Sequence, residues 1–286
     1  MTTASESSRP LEGRTLIMSG GSRGIGEAIA VSAARAGANI ALIAKTAEPN
    51  PNLPGTIFTA AAAIEEAGGR ALPIVGDIRD DAQVTDAVAR TVEVFGGIDI
   101  VVNNASALDL AHADELSMKK YDLMQNINAR GAFLLSKLCI PHLRKSPNAH
   151  VLTLSPPIDL DPKWFASIGT GYTISKFSMS LVTIGLAAEL KDDGIAVNSL
   201  WPRTTIDTAA VRNILGAELV SKSRTPQIVA DAAMAILTQP ASAATGRCFI
   251  DDEVLVATGT DDLSPYRVAP GPSDDLELDF WMDSLG

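Results

Sequence analysis

The sequence predicts an α/β protein, a doubly wound parallel sheet of about seven strands flanked by helices in a single domain. Three observations predict it. Short apolar runs alternate with longer segments of helical character along the whole chain. The runs are continuously apolar rather than alternating, as in strands buried on both faces. A glycine-rich turn, Gly20-Gly21-Ser22-Arg23-Gly24-Ile25-Gly26, stands between the first run and the first helical segment.

The elements follow in order. Residues 15–19 read as a buried strand, and 25–35 as an alanine-rich helix ended by Gly37. Strands are expected over 39–44, 71–75, 98–102, 149–154, 194–200 and 247–250. Helices are expected over 56–67, 81–95, 118–143, 171–190 and 226–237, with Pro226 suited to a first helical turn. Residues 1–12 read as a flexible segment, 13–258 as the domain, and 259–286 as an acidic tail. The tail's apolar residues, Leu276, Leu278, Phe280, Trp281 and Met282, should dock on the domain or on a neighbouring subunit.

The bulk numbers narrow the function. The chain has 286 residues, 46% of them hydrophobic, and a formal net charge of −11. That acidity argues against a nucleic-acid partner. Mean hydropathy is +0.16, and no apolar run has the length of a membrane span. The two cysteines, Cys139 and Cys248, read as buried thiols of a cytoplasmic protein. Three scattered histidines have no metal-ligand spacing, so no metal site is expected.

The glycine-rich turn suits a pyrophosphate. Glycines let the backbone approach, and the helix end supplies free N–H groups and positive potential. Dinucleotide proteins that take NAD place an acid at the end of the second strand. Here Ala44-Lys45-Thr46 has none, and Ser22 and Arg23 lie in the loop. Lys45 and Arg23 favour a 2′-phosphate, so NADP(H) is preferred and NAD(H) remains possible. The competing reading of Lys45 is an ordinary solvated surface lysine.

Tyr172 and Lys176 are four residues apart and share one helix face. A tyrosine hydroxyl, with an ordinary pKa of about 10, is a poor acid near neutrality. A nearby ammonium lowers that pKa towards the range useful for general acid–base catalysis. A core tyrosine beside a snorkelling lysine fits the same spacing.

The glycine turn, Asn103-Asn104-Ala105 after a strand, Ser155 after another, and Tyr172 with Lys176 occur in this order. Together they resemble the short-chain dehydrogenase/reductase family, from about Gly13 to about Val256. The resemblance implies a Rossmann-type sheet and hydride transfer between a nicotinamide and a carbonyl or secondary alcohol. It implies that Asn128, Ser155, Tyr172 and Lys176 are catalytic: Asn128 holding a water for proton return, Ser155 binding the substrate carbonyl, and Tyr172 passing the proton. It implies cofactor contacts from Gly20, Ser22, Arg23, Gly24, Ile25 and Gly26, and from Lys45, Asp77, Ile78, Asn104 and Ala105. Tyr172, Lys176, Pro202, Thr204 and Thr205 would complete them, with Asp77 at the adenine amino group and Ile78 beside the ring.

Three departures from the family pattern stand out. Ser106 replaces a glycine. Arg203 follows Pro202, where a glycine is usual, and can face a cofactor phosphate, an acidic substrate or solvent. The gap from Ser155 to Tyr172 is long and carries Trp164 and Phe165, a candidate apolar substrate wall. These inserts, with the Pro-rich 46–56, resemble the hydroxysteroid dehydrogenase-like protein 2 group, some members of which carry a sterol-carrier domain. This chain is expected to lack one. A small, apolar, lipid-, acyl- or steroid-like substrate and a homo-oligomer, dimer or tetramer, complete the expectation. The alternative is a nucleotide-binding sensor or scaffold of the same fold with little turnover. Residues 205–225 read as a lid.

Overall fold

The computed structural model describes residues 9–50, 54–215 and 217–285. Residues 1–8 of the expected flexible segment lie outside them. The rest of that segment is anchored: Leu11 is buried and its amide donates to Ala36 O at 2.9 Å.

Seven strands form one parallel sheet in the order β3-β2-β1-β4-β5-β6-β7. They are β1 (Thr15–Ser19), β2 (Asn39–Ala44), β3 (Arg70–Val75), β4 (Ile100–Asn103), β5 (His150–Thr153), β6 (Ala196–Trp201) and β7 (Cys248–Ile250). Successive residues of a strand face opposite sides of the sheet. Leu16, Met18 and Leu42 therefore enter one apolar core, and Ile17, Ala41 and Ile43 the other. Both faces being dry explains why the strands read as unbroken apolar runs. β3 forms one edge, with exposed Arg70 at its start and Pro73 in its middle. The three-residue β7 forms the other.

The helices that cover the sheet are α1 (Gly24–Arg35), α2 (Ile57–Glu66), α3 (Asp81–Phe95), α4 (Met118–Met124), α5 (Gly131–Leu143), α6 (Pro162–Ile168), α7 (Thr170–Glu189), α8 (Ala209–Leu215), α9 (Ala217–Val220), α10 (Pro226–Leu237) and α11 (Asp251–Ala257). Their ends follow local chemistry. Thr56 caps α2 through a reciprocal hydrogen-bond box with Thr59, and Asp80 caps α3 by accepting from Ala82 N and Gln83 N. Gly96 ends α3 at φ 88°, a left-handed conformation that glycine adopts without strain. Pro226 occupies the first turn of α10, as its sequence position suggests.

The expected long helix over 118–143 is α4 and α5 joined by one wider π turn, Gln125–Arg130. Such turns recur at functional sites. Among the described residues four helices were not anticipated: α6 within the long insert, α8 and α9 within the stretch read as a lid, and α11 directly after β7. The β1/β4 boundary is where the strand order reverses, and the crevice above their carboxyl ends is the site such sheets offer a ligand.

Candidate active site

The glycine turn closes β1 and leads into α1, whose N-terminus faces a groove of about 390 Å³. The groove is lined by Gly20, Ser22, Arg23, Gly24, Ile25, Lys45, Asp77, Ile78, Asn104 and Ala105, all expected there from the sequence. Gly26 supports it from beneath: a Cβ on Gly26 would lie 2.4 Å from Asn104 Nδ2 and 2.8 Å from Gly20 O. A Cβ on Gly20, at φ 75°, would meet Ala105 Cα at 2.7 Å. The loop and the segment after β4 are thus packed backbone to backbone. Asn104 Nδ2 donates to Gly20 O at 2.7 Å, and Ala105 N donates to Ser19 Oγ at 3.2 Å.

At the far end of the groove, Asp77 is gripped by Arg79, with nitrogen–oxygen distances down to 2.6 Å, and by Lys45 at 3.2 Å. The Arg79 hydrogen bonds, ahead of Lys45, hold its carboxyl well below the usual carboxylate range. Lys45 is therefore tied to Asp77 rather than wholly free. Arg79 is a third cation near this end, alongside Lys45 and Arg23, and its only sequence signal is its place two residues after Asp77. Arg23 donates to Gly55 O at 2.9 Å, which draws the start of α2 onto the loop. Thr208, Ser106 and Ile127 also line the groove.

The catalytic candidates gather above β4, β5 and β6. Ser155 lies just past β5; its Oγ is buried and has no hydrogen-bond partner. Tyr172 and Lys176 share a face of α7. The Lys176 ammonium donates to Leu154 O at 2.6 Å and lies 4.8 Å from the centre of the Trp201 ring. Burial lowers its pKa to about 7, partly opposed by the Asp279 carboxylate. Burial raises the Tyr172 pKa, with Asp279 adding to the rise and the Ser106 hydroxyl opposing it. This corrects the expectation that Lys176 lowers it. The lysine's proton donors are turned to a carbonyl and an aromatic face, and the phenol is sealed from water.

Asn128 sits in the π turn, fully buried. Its Oδ1 accepts from Ala107 N at 2.7 Å, and its Nδ2 donates to Ala107 O and Ser175 Oγ, each at 2.9 Å. The side chain is a brace between the post-β4 segment and α7, where a water-holding amide was expected; its donors are both engaged by protein.

Trp164 and Phe165 belong to α6 and pack into the apolar cluster that contains Tyr172, Phe177, Trp201, Trp281 and Met282. Phe165 meets Phe177 edge to face at 6.1 Å. Pro202, Thr204 and Thr205 follow β6, with Thr204 Oγ1 buried and unpartnered. Thr205 Oγ1 is paired with Ser223 Oγ at 2.8 Å.

Arg203 does not face the cofactor groove or a substrate cleft. Its side chain is buried among Asp252, Glu253 and the Ser284 carbonyl. The ionic partners lie 49 and 50 positions away, so no local pattern could disclose them. The acidic tail folds back over the same region, a placement that apolar spacing alone does not specify.

A glycine cradle at the β1/β4 crevice, a helix N-terminus facing it, and buried unpaired hydroxyls at Ser155 and Thr204 fit a nicotinamide dinucleotide. They define a dinucleotide-binding α/β protein with a Ser-Tyr-Lys constellation. The sequence profile described as short chain dehydrogenase matches residues 14–218, and the chain belongs to that family. It is 53% identical over 273 residues to hydroxysteroid dehydrogenase-like protein 2 of Danio rerio, covering 96% of this chain and 65% of that protein. Against the same-named protein of Xenopus tropicalis it is 52% identical, with 96% and 64% covered. The chain thus spans just under two thirds of the length of these curated relatives. A crystal structure of a short chain dehydrogenase from Mycobacterium thermoresistibile superposes with a TM-score of 0.91 at 54% identity, covering 96% of this chain and 97% of that one.

Proposed function

We propose that the chain is an NADP(H)-dependent oxidoreductase acting on the carbonyl or secondary alcohol of a small apolar substrate, of lipid, acyl or steroid type. The observation that carries this reading is the buried, unpaired Ser155 Oγ next to Leu154, whose carbonyl takes the Lys176 ammonium from the helix face that also bears Tyr172. NADP(H), when bound, supplies or accepts the hydride.

The chain's own groups account for the rest. The Ser155 hydroxyl donates to the substrate oxygen and stabilises charge developing there. Tyr172 O–H gives that oxygen its proton and regains one from solvent through a relay that Lys176, on the same face of α7, would join once its ammonium turns from Leu154 O. Asn128 fixes α7 against the post-β4 segment, which holds the tyrosine in register. Thr204 Oγ1 is a hydroxyl suited to a carboxamide, and Lys45, Arg23 and Arg79 supply positive charge for a 2′-phosphate. Trp164 and Phe165 support an apolar substrate.

A homo-oligomer is supported by exposed apolar side chains on α5 and α7, Phe133, Leu181 and Ile184. A cytoplasmic setting is supported by the free thiols of Cys139 and Cys248. Among the described residues no helix is long and apolar enough to cross a membrane.

A second reading, a nucleotide-binding sensor or scaffold, draws on one observation: Ser155, Tyr172 and Lys176 are all closed to solvent. Titration with NADPH and NADH, followed by turnover of medium-chain and steroidal ketones, separates the two. Binding with turnover that falls by about 10²–10⁴-fold in Tyr172→Phe supports the oxidoreductase. Binding without turnover supports the sensor, and no binding of either nucleotide removes both.

A further inference from the structure

Tyr172, which must meet substrate, is covered by the chain's own C-terminal segment. Ser155 is 0% exposed, Lys176 2% and Tyr172 6%. Trp281, itself 3% exposed, packs on Tyr172, Phe177, Trp201 and Phe280, with ring centroids 5.9, 5.5, 5.5 and 5.8 Å away. No ketone can reach Tyr172 while this segment stays where it is.

The segment is fastened to the loop after β6. Thr205 N donates to Glu277 O and Asp279 N to Arg203 O, each at 2.9 Å, around an antiparallel bridge between Thr204 and Leu278. Trp201 Nε1 donates to Phe280 O at 2.9 Å. These bonds engage the stretch, Pro202 to Thr205, expected to hold the nicotinamide end of a cofactor. At the rim, the exposed pairs Lys163–Asp283 and Lys222–Asp275 add little holding strength.

Two features are out of place in a permanent wall. Trp281 is the one non-glycine residue with positive φ among the described residues, at 64°. Its indole N–H is also buried without an acceptor. A left-handed, bulky residue and an unpaired buried donor each weaken the docked state, and such strain gathers where a structure must change.

We propose that residues 277–282 are a self-inhibiting plug: Trp281 occupies the substrate's place, and the segment withdraws to admit substrate. This rests on Tyr172 being the reacting group. The plug lowers the fraction of competent protein, so apparent substrate affinity is reduced by that fraction.

The test has a substrate-free arm and a turnover arm. In hydrogen exchange on the unaltered protein, the Thr205 and Asp279 amides should exchange at least about tenfold faster than the amides of β6. Exchange as slow as β6 overturns the plug whatever the protein catalyses. Thr204 and Leu278 face each other as a non-hydrogen-bonded antiparallel pair, a spacing suited to a disulfide.

In Thr204→Cys/Leu278→Cys, oxidation should slow both amides to the β6 rate. It should also cut NADPH consumption with a ketone by about tenfold or more relative to the reduced form of the same variant. Trp281→Ala should raise kcat/KM. A clamped form that turns over as fast as its reduced form, or a Trp281→Ala variant that loses kcat/KM while binding NADPH normally, shows a fixed wall instead. Failure of the oxidoreductase reading looks different: neither the unaltered protein nor Trp281→Ala turns over a ketone, whether or not NADPH binds, and the exchange result still decides the plug.

Discussion

Arg203 Nε donates to both carboxylate oxygens of Asp252, at 2.8 Å each, inside the protein. Arg224 reaches the same carboxylate at 3.2 Å, and Glu253 and the Ser284 carbonyl take the rest of the Arg203 guanidinium. One buried cation therefore joins β6, α11 and the end of the chain. Breaking a buried pair from one side leaves the other charge uncompensated. Arg203→Met should lower stability by about 3 kcal/mol or more, read from urea unfolding. A loss below about 1 kcal/mol would mean that Arg224 alone satisfies Asp252.

Next to this pair, Asp251 is buried, and its Oδ2 has no partner. Burial raises its pKa from the ordinary 3.8 to about 7, opposed first by the Arg203 N–H bond to Oδ1. The folded protein holds this proton over a range where the unfolded chain has released it. The stability contribution is complete below the ordinary value and is lost as pH rises through about 7. Asp251→Asn keeps the Oδ1 acceptor and does not titrate. Its melting temperature should gain on that of the unaltered protein by about 2 °C or more between acidic and mildly alkaline buffers. Parallel pH curves for the two proteins would contradict this.

The glycine cradle makes a sharper demand. A methyl at position 26 would fall 2.4 Å from Asn104 Nδ2 and 2.8 Å from Gly20 O. The second neighbour is backbone and cannot step aside. Gly26→Ala should weaken NADPH binding by about tenfold or more and lower stability by about 1–3 kcal/mol. Isothermal titration and thermal melting on the same sample check both, and unchanged binding would show that the loop relaxes around the methyl.

Cofactor choice turns on a few charges. Lys45 is more than half exposed and touches Asp77 at 3.2 Å, so its removal leaves Asp77 still held by Arg79. Lys45→Ala should weaken NADPH binding by about tenfold, near 1.4 kcal/mol, and leave NADH unchanged. An equal loss for both nucleotides would assign Lys45 to the adenine end through Asp77, without a role at a 2′-phosphate.

The sheet and most of the groove were legible in the sequence because their causes are local. A strand buried on both faces must be apolar throughout, and Gly20, Gly24 and Gly26 meet a helix end within one turn of chain. Asp77 and Asn104 follow strands, so strand order alone delivers them to one crevice. The covering of Tyr172 was not legible. Trp281 lies more than a hundred positions from it, and the residues between carry no sign of where the tail will land. Lys176 shows a subtler limit. Its spacing from Tyr172 fixes the shared helix face, while the direction of its ammonium depends on Leu154 O and Trp201, which reach it from neighbouring strand ends.

The sheet edges carry a consequence of a different kind. A parallel sheet exposes a row of backbone donors and acceptors at each margin, and such a row can template a strand from another molecule. β3 opens on exposed Arg70, and Pro73 in its middle has no N–H to offer. β7 is only three residues long before the chain turns into α11. Neither margin presents a long, flat, fully donating strand, so crowded solutions of this chain are guarded against strand-by-strand growth into fibres.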